Sequence, residues 1–166
     1  HHIEPRSRWE KHFSVAQYAT SALIQASTFG GGIDLNIEAN DESFSGHYLL
    51  AVVSNIHRYA GGLAKISPSA CIDDGEMDLW VFSGDTWLEA ITHAYELWSG
   101  RHLESDQARC VPFQTLKLSS DSPLYVQVDG EPEEARHEVS ISIQPRALRV
   151  LVPAGASKSL FSVDGL

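Results

Sequence analysis

The second half of the chain is a run of short alternating segments broken by turn signals, and this pattern restricts the fold more than any other feature. "TLKLSS", "LYVQVDGEP", "EVSISIQP" and "ALRVLVP" place apolar residues at every second position, as in Val126/Val128 and Val139/Ile141/Ile143. Period two is the repeat of a strand with one face buried. Earlier, "IDLNIEAN" sets Ile33, Leu35 and Ile37 against Asp34, Asn36 and Glu38, then turns at Asn40-Asp41. "SGHYLLAVVSN" is almost continuously apolar and suits a strand covered on both faces. "MDLWVF", Met77 to Phe82, has strand character as well.

Two stretches follow the helical repeat instead. Trp9, Phe13, Ala16, Ala19, Leu23 and Ala26 recur at steps of three and four, giving one apolar face from Trp9 to about Ser27. Gly30-Gly31-Gly32 ends that helix; no GxxxxGK[ST] or GxGxxG surrounds the glycines to make them a phosphate loop. From Thr86 to Ser99, a Thr86/Glu89 capping box and Gly100 at the C-cap position frame a second helix. Asn55 to Ala70, with paired glycines and a proline, reads as an irregular excursion. These elements predict a mainly β chain with two helices (α+β), built as an antiparallel β-sandwich or barrel-like core with helices at one edge.

With 166 residues and 43% hydrophobic content, the chain has the material for a single core, and residues 3–166 read as one domain. The chain opens His1-His2 and its only methionine is Met77. That reads as a tag remnant at residues 1–2 ahead of a piece of a longer protein. A formal charge of -10 without a Lys/Arg cluster excludes nucleic acid as a natural partner. No apolar run approaches the roughly 18 residues of a membrane span, so a cytoplasmic location is expected. Cys71 and Cys110 form no CxxC and read as small buried thiols. His12, His47, His57, His93, His102 and His137 fall at no zinc spacing near a cysteine and read as surface or half-buried side chains.

Two acidic stretches could carry chemistry. In "ISPSACIDDGEMDLWVF", Asp73, Asp74 and Asp78 could offer oxygen ligands to a hard cation, although the spacing is not that of an EF-hand. Asp74-Gly75 is equally a turn signal. In "VDGEPEE", Pro132 holds the preceding Glu131 in extended backbone, and a carboxylate held on a strand end can act as a general base. A solvated hairpin tip is the other reading.

Taken in order, "VVSNIHRYAGGLAKISPSACIDDGEMDLWVF", "WSGRHLESDQARCVPFQTLKLSS" and "LYVQVDGEPEEARHEVSISIQPRALRVLVP" closely resemble the C-terminal domain of bacterial diacylglycerol-kinase-like lipid kinases, relatives of sphingosine and ceramide kinases. The ordered series N…YxGG, PxAxxDDGxxD, GxH, DGE and PxALxxxVP carries the resemblance, over about Trp9 to Pro153. It implies a two-domain enzyme whose N-terminal domain binds ATP through a GGDGT-type motif. No such motif occurs in this sequence, so the fragment alone is expected to be inactive.

By resemblance, Glu131 would be the general base toward a lipid hydroxyl. Asp74, with the main-chain carbonyls of Cys71 and Glu76, would hold Mg2+; apolar side chains commonly occupy the two flanking positions in the family. The implied partners are a lipid substrate and the nucleotide-binding domain, with a homodimer also open, and the implied location is cytoplasmic with transient contact at the inner membrane surface. Asn55 to Gly62 and Lys65 would lie near the domain cleft. A noncatalytic β-sandwich module for ligand binding or assembly explains the strands equally well, and an NAD-kinase relative is a third reading.

Overall fold

The computed structural model describes residues 31–59, 64–129, 131–152, 155 and 160–162. The helix expected over Trp9 to Ser27 lies outside the described residues. The elements are strands β1 (Ile33–Ala39), β2 (Glu42–Ser54), β3 (Arg58–Tyr59), β4 (Ala64–Lys65) and β5 (Met77–Ser83), then helix α1 (Trp87–Ser99) and a 3-10 turn (Arg101–Glu104). Strands β6 (Ala108–Phe113), β7 (Thr115–Leu124), β8 (Gln127–Val128), β9 (Glu131–Pro132) and β10 (Arg136–Ser142) follow.

Six strands form one antiparallel sheet in the order β10-β7-β1-β2-β5-β6. The sheet does not close, so the expected antiparallel β-rich fold is present and its barrel-like variant is not. β3–β4 and β8–β9 are separate two-stranded hairpins.

β1 lies where its alternation put it: Leu35, Ile37 and Ala39 are buried, and Asp34, Asn36 and Glu38 are exposed. Asn40 turns the chain with φ 53°. Its Oδ1 accepts from the backbone N–H of Gln114 (2.8 Å) and Thr115 (3.2 Å), tying the β1–β2 turn to the β6–β7 turn.

The strand covered on both faces is β5 rather than β2. In β2 only Tyr48 and Ser54 are buried, and Leu50 is exposed. In β5, Leu79 and Val81 enter the main cluster with Val111, Phe113, Leu116 and Leu118. Trp80 and Phe82 face the other way and pack with Ile66. The second cover comes from α1, whose His93 ring lies 5.2 Å from that of Phe82. β6 was not apparent from the sequence because Pro112 interrupts it; Pro112 is tolerated on this edge strand, where one missing N–H breaks no interior ladder.

The segment Ala147 to Val152, expected as a strand, is irregular and exposed, with Leu148, Val150 and Leu151 in solvent. The chain leaves β10 through Pro145 and a left-handed Arg146 (φ 56°), which ends the ladder before an alternating stretch can pair.

α1 begins as anticipated. Thr86 accepts from the Glu89 N–H, Glu89 accepts from the Thr86 N–H, and Gly100 closes the helix in the left-handed conformation. Its inward face is narrow. His93 is buried, Glu96 and Leu97 are half-buried with Leu97 packed on the Trp80–Phe82 cluster, and Trp87, Leu88, Ile91, Tyr95 and Trp98 are exposed. His102 is also buried, so two histidines expected near the surface are internal.

Candidate cation loop and glutamate hairpin

The loop from Ile66 to Glu76 is fastened at several points by side chains from outside it. His57 Nε2 meets the Ala70 carbonyl at 2.7 Å, and His102 Nε2 meets the Ile66 carbonyl at 2.9 Å. Trp80 Nε1 donates to Ser67 Oγ at 2.9 Å. Buried polar groups that find partners in this way define a backbone path, because each alternative path would orphan them.

Within the loop the three aspartates have different work. Asp73 accepts from the backbone N–H and hydroxyl of Ser162, at 2.6 and 3.1 Å, and so secures the C-terminal segment. Asp74 Oδ1 accepts from the Glu76 N–H at 2.9 Å, closing a turn over Gly75 (φ 82°). Asp78, on β5, has a buried Oδ2 without a hydrogen-bond partner.

The carbonyls of Cys71 and Glu76 converge on one side chain. With its nitrogen turned toward the loop, the Asn55 amide donates to Cys71 O at 2.9 Å and to Glu76 O at 3.1 Å. A cavity of about 310 Å3 adjoins them, lined among others by Asp74, Asp78 and Cys110. Among the described residues no three His, Cys, Asp or Glu side chains form a metal cluster. The converging donors are main-chain oxygens beside one carboxylate, which is the ligand chemistry of a hard cation rather than of zinc.

The two thiols do not extend this set. Cys71 is half-buried, and desolvation, with Asp74 and Asp73 nearby, raises its pKa. Cys110 is exposed as a residue, against expectation, because it sits on the edge strand. Its thiol nevertheless lies against Asp78, and desolvation followed by that carboxylate pushes its pKa up to about 12. Both stay protonated and unreactive near neutrality.

Glu131 opens β9 and pairs with Val128 across a turn in which Asp129 is left-handed (φ 50°). The residue is exposed on its own two-stranded hairpin. Among the described residues no hydrogen bond or ion pair joins Glu131 to the Asp74 loop. Of the excursion residues, Asn55 is brought onto the loop and Lys65 is exposed in β4; residues 60–63 are outside the described set. The particular role of Asn55 was not legible in advance, since its partners are carbonyls that any residue can present.

Residues 4–152 match the family described as the YegS C-terminal NAD kinase beta sandwich-like domain. A "Probable lipid kinase YegS-like" protein of Stenotrophomonas maltophilia is 31% identical over 74% of this chain and 40% of its own length. One of Pseudomonas aeruginosa with the same name is 34% identical over 71% of this chain and 38% of its own length. The chain thus spans about two fifths of the length of these curated relatives. A crystal structure of a diacylglycerol kinase from Bacillus anthracis aligns with a TM-score of 0.53 at 14% identity, over 75% of this chain and 44% of that one, a likeness of fold. The chain belongs to the family of YegS C-terminal, NAD-kinase-like β-sandwich domains.

Proposed function

We propose that this chain is the substrate-side domain of an ATP-dependent lipid kinase that phosphorylates a hydroxyl lipid such as diacylglycerol, and that it is inactive without a nucleotide-binding partner domain. The carrying observation is the convergence of the Cys71 and Glu76 carbonyls beside Asp74, a donor set suited to Mg2+ in a family whose named relatives are lipid kinases. Bound Mg2+ would supply fixed positive charge at this loop. Asp74 would hold it by its carboxylate, Cys71 and Glu76 by their carbonyls.

Glu131 is the general base in this reading. Its extended backbone and exposed hairpin position leave the carboxylate free to accept the proton of the lipid hydroxyl as that oxygen attacks the γ-phosphate of ATP. A transient approach to the inner membrane surface is supported by α1. Its exposed Trp87, Tyr95 and Trp98, beside Leu88 and Ile91, are side chains with apolar bodies that suit a headgroup boundary. Among the described residues no helix is long and apolar enough to cross a membrane.

Glu131→Gln in the full two-domain protein, assayed with Mg-ATP and diacylglycerol vesicles, tests the reading. The expected loss in kcat is about 10²- to 10⁴-fold. Unchanged turnover removes the base assignment. Phosphate transfer by the 166-residue chain alone overturns the inactive-fragment reading.

A further inference from the structure

Asn55 occupies the one place where the Cys71 and Glu76 carbonyls point together. It leaves the end of β2 just after the buried Ser54, whose hydroxyl bonds to both the N–H (3.3 Å) and the carbonyl (3.2 Å) of Ile56. The backbone on either side of Asn55 is therefore tied together. With nitrogen inward, the amide donates to both carbonyls, at 2.9 and 3.1 Å. With oxygen inward, three oxygens would face one another, an arrangement that repels unless a cation lies among them.

The spacing serves both states. Octahedral Mg2+ holds oxygens at 2.0–2.1 Å, so neighbouring ligands stand about 2.9 Å apart. The amide holds the Cys71 carbonyl at that separation, 2.9 Å, and the Glu76 carbonyl slightly farther off, at 3.1 Å. Exchanging nitrogen for oxygen therefore changes the sign of the charge that the cluster welcomes and leaves its dimensions alone.

We infer that Asn55 is the placeholder and the orienting ligand of this loop: its amide nitrogen clasps the Cys71 and Glu76 carbonyls in the cation-free protein, and it turns over to present Oδ1 when a divalent cation enters. The inference rests on the cation reading of the Asp74 loop. It adds that the site is kept assembled without metal, and that entry of the ion exchanges two hydrogen bonds for coordination.

The test is Mn2+ titration of the 166-residue chain, followed by paramagnetic resonance of free Mn2+ and by thermal denaturation, for wild type, Asn55→Asp, Asn55→Ala and Asp74→Asn. Asn55→Asp is expected to bind Mn2+ at least tenfold more tightly than wild type. It should also melt lower without metal, because a carboxylate then faces two carbonyls. Asn55→Ala is expected to bind at least fivefold more weakly. In wild type, the side-chain NH2 resonances of Asn55 should shift on addition of Mg2+, a readout that needs no variant to fold.

If wild type binds Mn2+ and both Asn55 variants bind it equally well, the Asn55 inference is overturned and the cation reading stands. If Asp74→Asn binds as wild type does, or if neither wild type nor Asn55→Asp binds, the cation reading falls and takes the inference with it.

Discussion

Nε2 of His47 stands 2.9 Å from Oδ1 of Asp85, joining β2 to the residue that precedes the N-cap of α1, and its Nδ1 stands 2.7 Å from Asp34 on β1. Hydrogen bonds to Asp34, then Asp85, raise the pKa of His47 above its ordinary value of 6.5. A raised folded-state pKa stabilises the fold fully below the unfolded value, and that contribution is lost as pH rises through the folded value. Stability should therefore decline from about pH 6.5 upward. His47→Gln should flatten the dependence. Urea midpoints measured between pH 6 and 8.5 for the two proteins check this, with the His47 ring resonances reporting the midpoint directly.

Gly32 lies under the same bridge. A Cβ there would come within 2.4 Å of the Gly84 carbonyl and 2.6 Å of His47 Nε2. The carbonyl is backbone and cannot swing aside. Gly32→Ala is expected to destabilise by about 1–3 kcal/mol, read as a lowered denaturation midpoint. It should also lower the His47 pKa toward 6.5 by displacing the ring.

Ser67 is almost fully buried and accepts the Trp80 indole N–H. Ser67→Ala leaves that donor without a partner in the interior, at a cost of about 1–3 kcal/mol. Ser67→Thr keeps the hydroxyl and should recover part of the loss. Equilibrium unfolding of the three proteins, followed by tryptophan fluorescence, separates the cases.

Cys110 should resist alkylation despite its exposure. A thiol with a pKa of about 12 carries roughly a thousandfold less thiolate near neutrality than an ordinary cysteine. Asp78→Asn removes the adjacent charge and the carboxylate hydrogen bond, and should speed the reaction. Iodoacetamide labelling at pH 8, quantified by peptide mass spectrometry, measures both rates.

What could be read in advance depended on where each element keeps its partners. β1 was legible because its alternation records one buried face, and α1 because Thr86, Glu89 and Gly100 are local signals. β6 was hidden by Pro112, which is acceptable only because β6 forms an edge, a fact of tertiary arrangement. The reverse error occurred at Ala147 to Val152, where period two is present and no strand lies alongside to use it. β2 looked doubly covered from its apolar run, but the helix covers β5 instead. At the candidate site, Asp74 and Glu131 could be named from sequence patterns. The Asn55 clasp could not, since main-chain carbonyls leave no trace in residue identity.

The narrow inward face of α1 ties the helix to the acidic loop as well as to the sheet. Its inward face is fastened by His93, which meets the Ser83 carbonyl at 2.8 Å and lies against the Phe82 ring, and by Leu97, packed on the cluster of Ile66, Trp80 and Phe82. The 3-10 turn behind it is anchored in the same place, since His102 is buried with its ring against Trp80. Through the bond from His102 to the Ile66 carbonyl, that anchor also sets where the acidic loop begins.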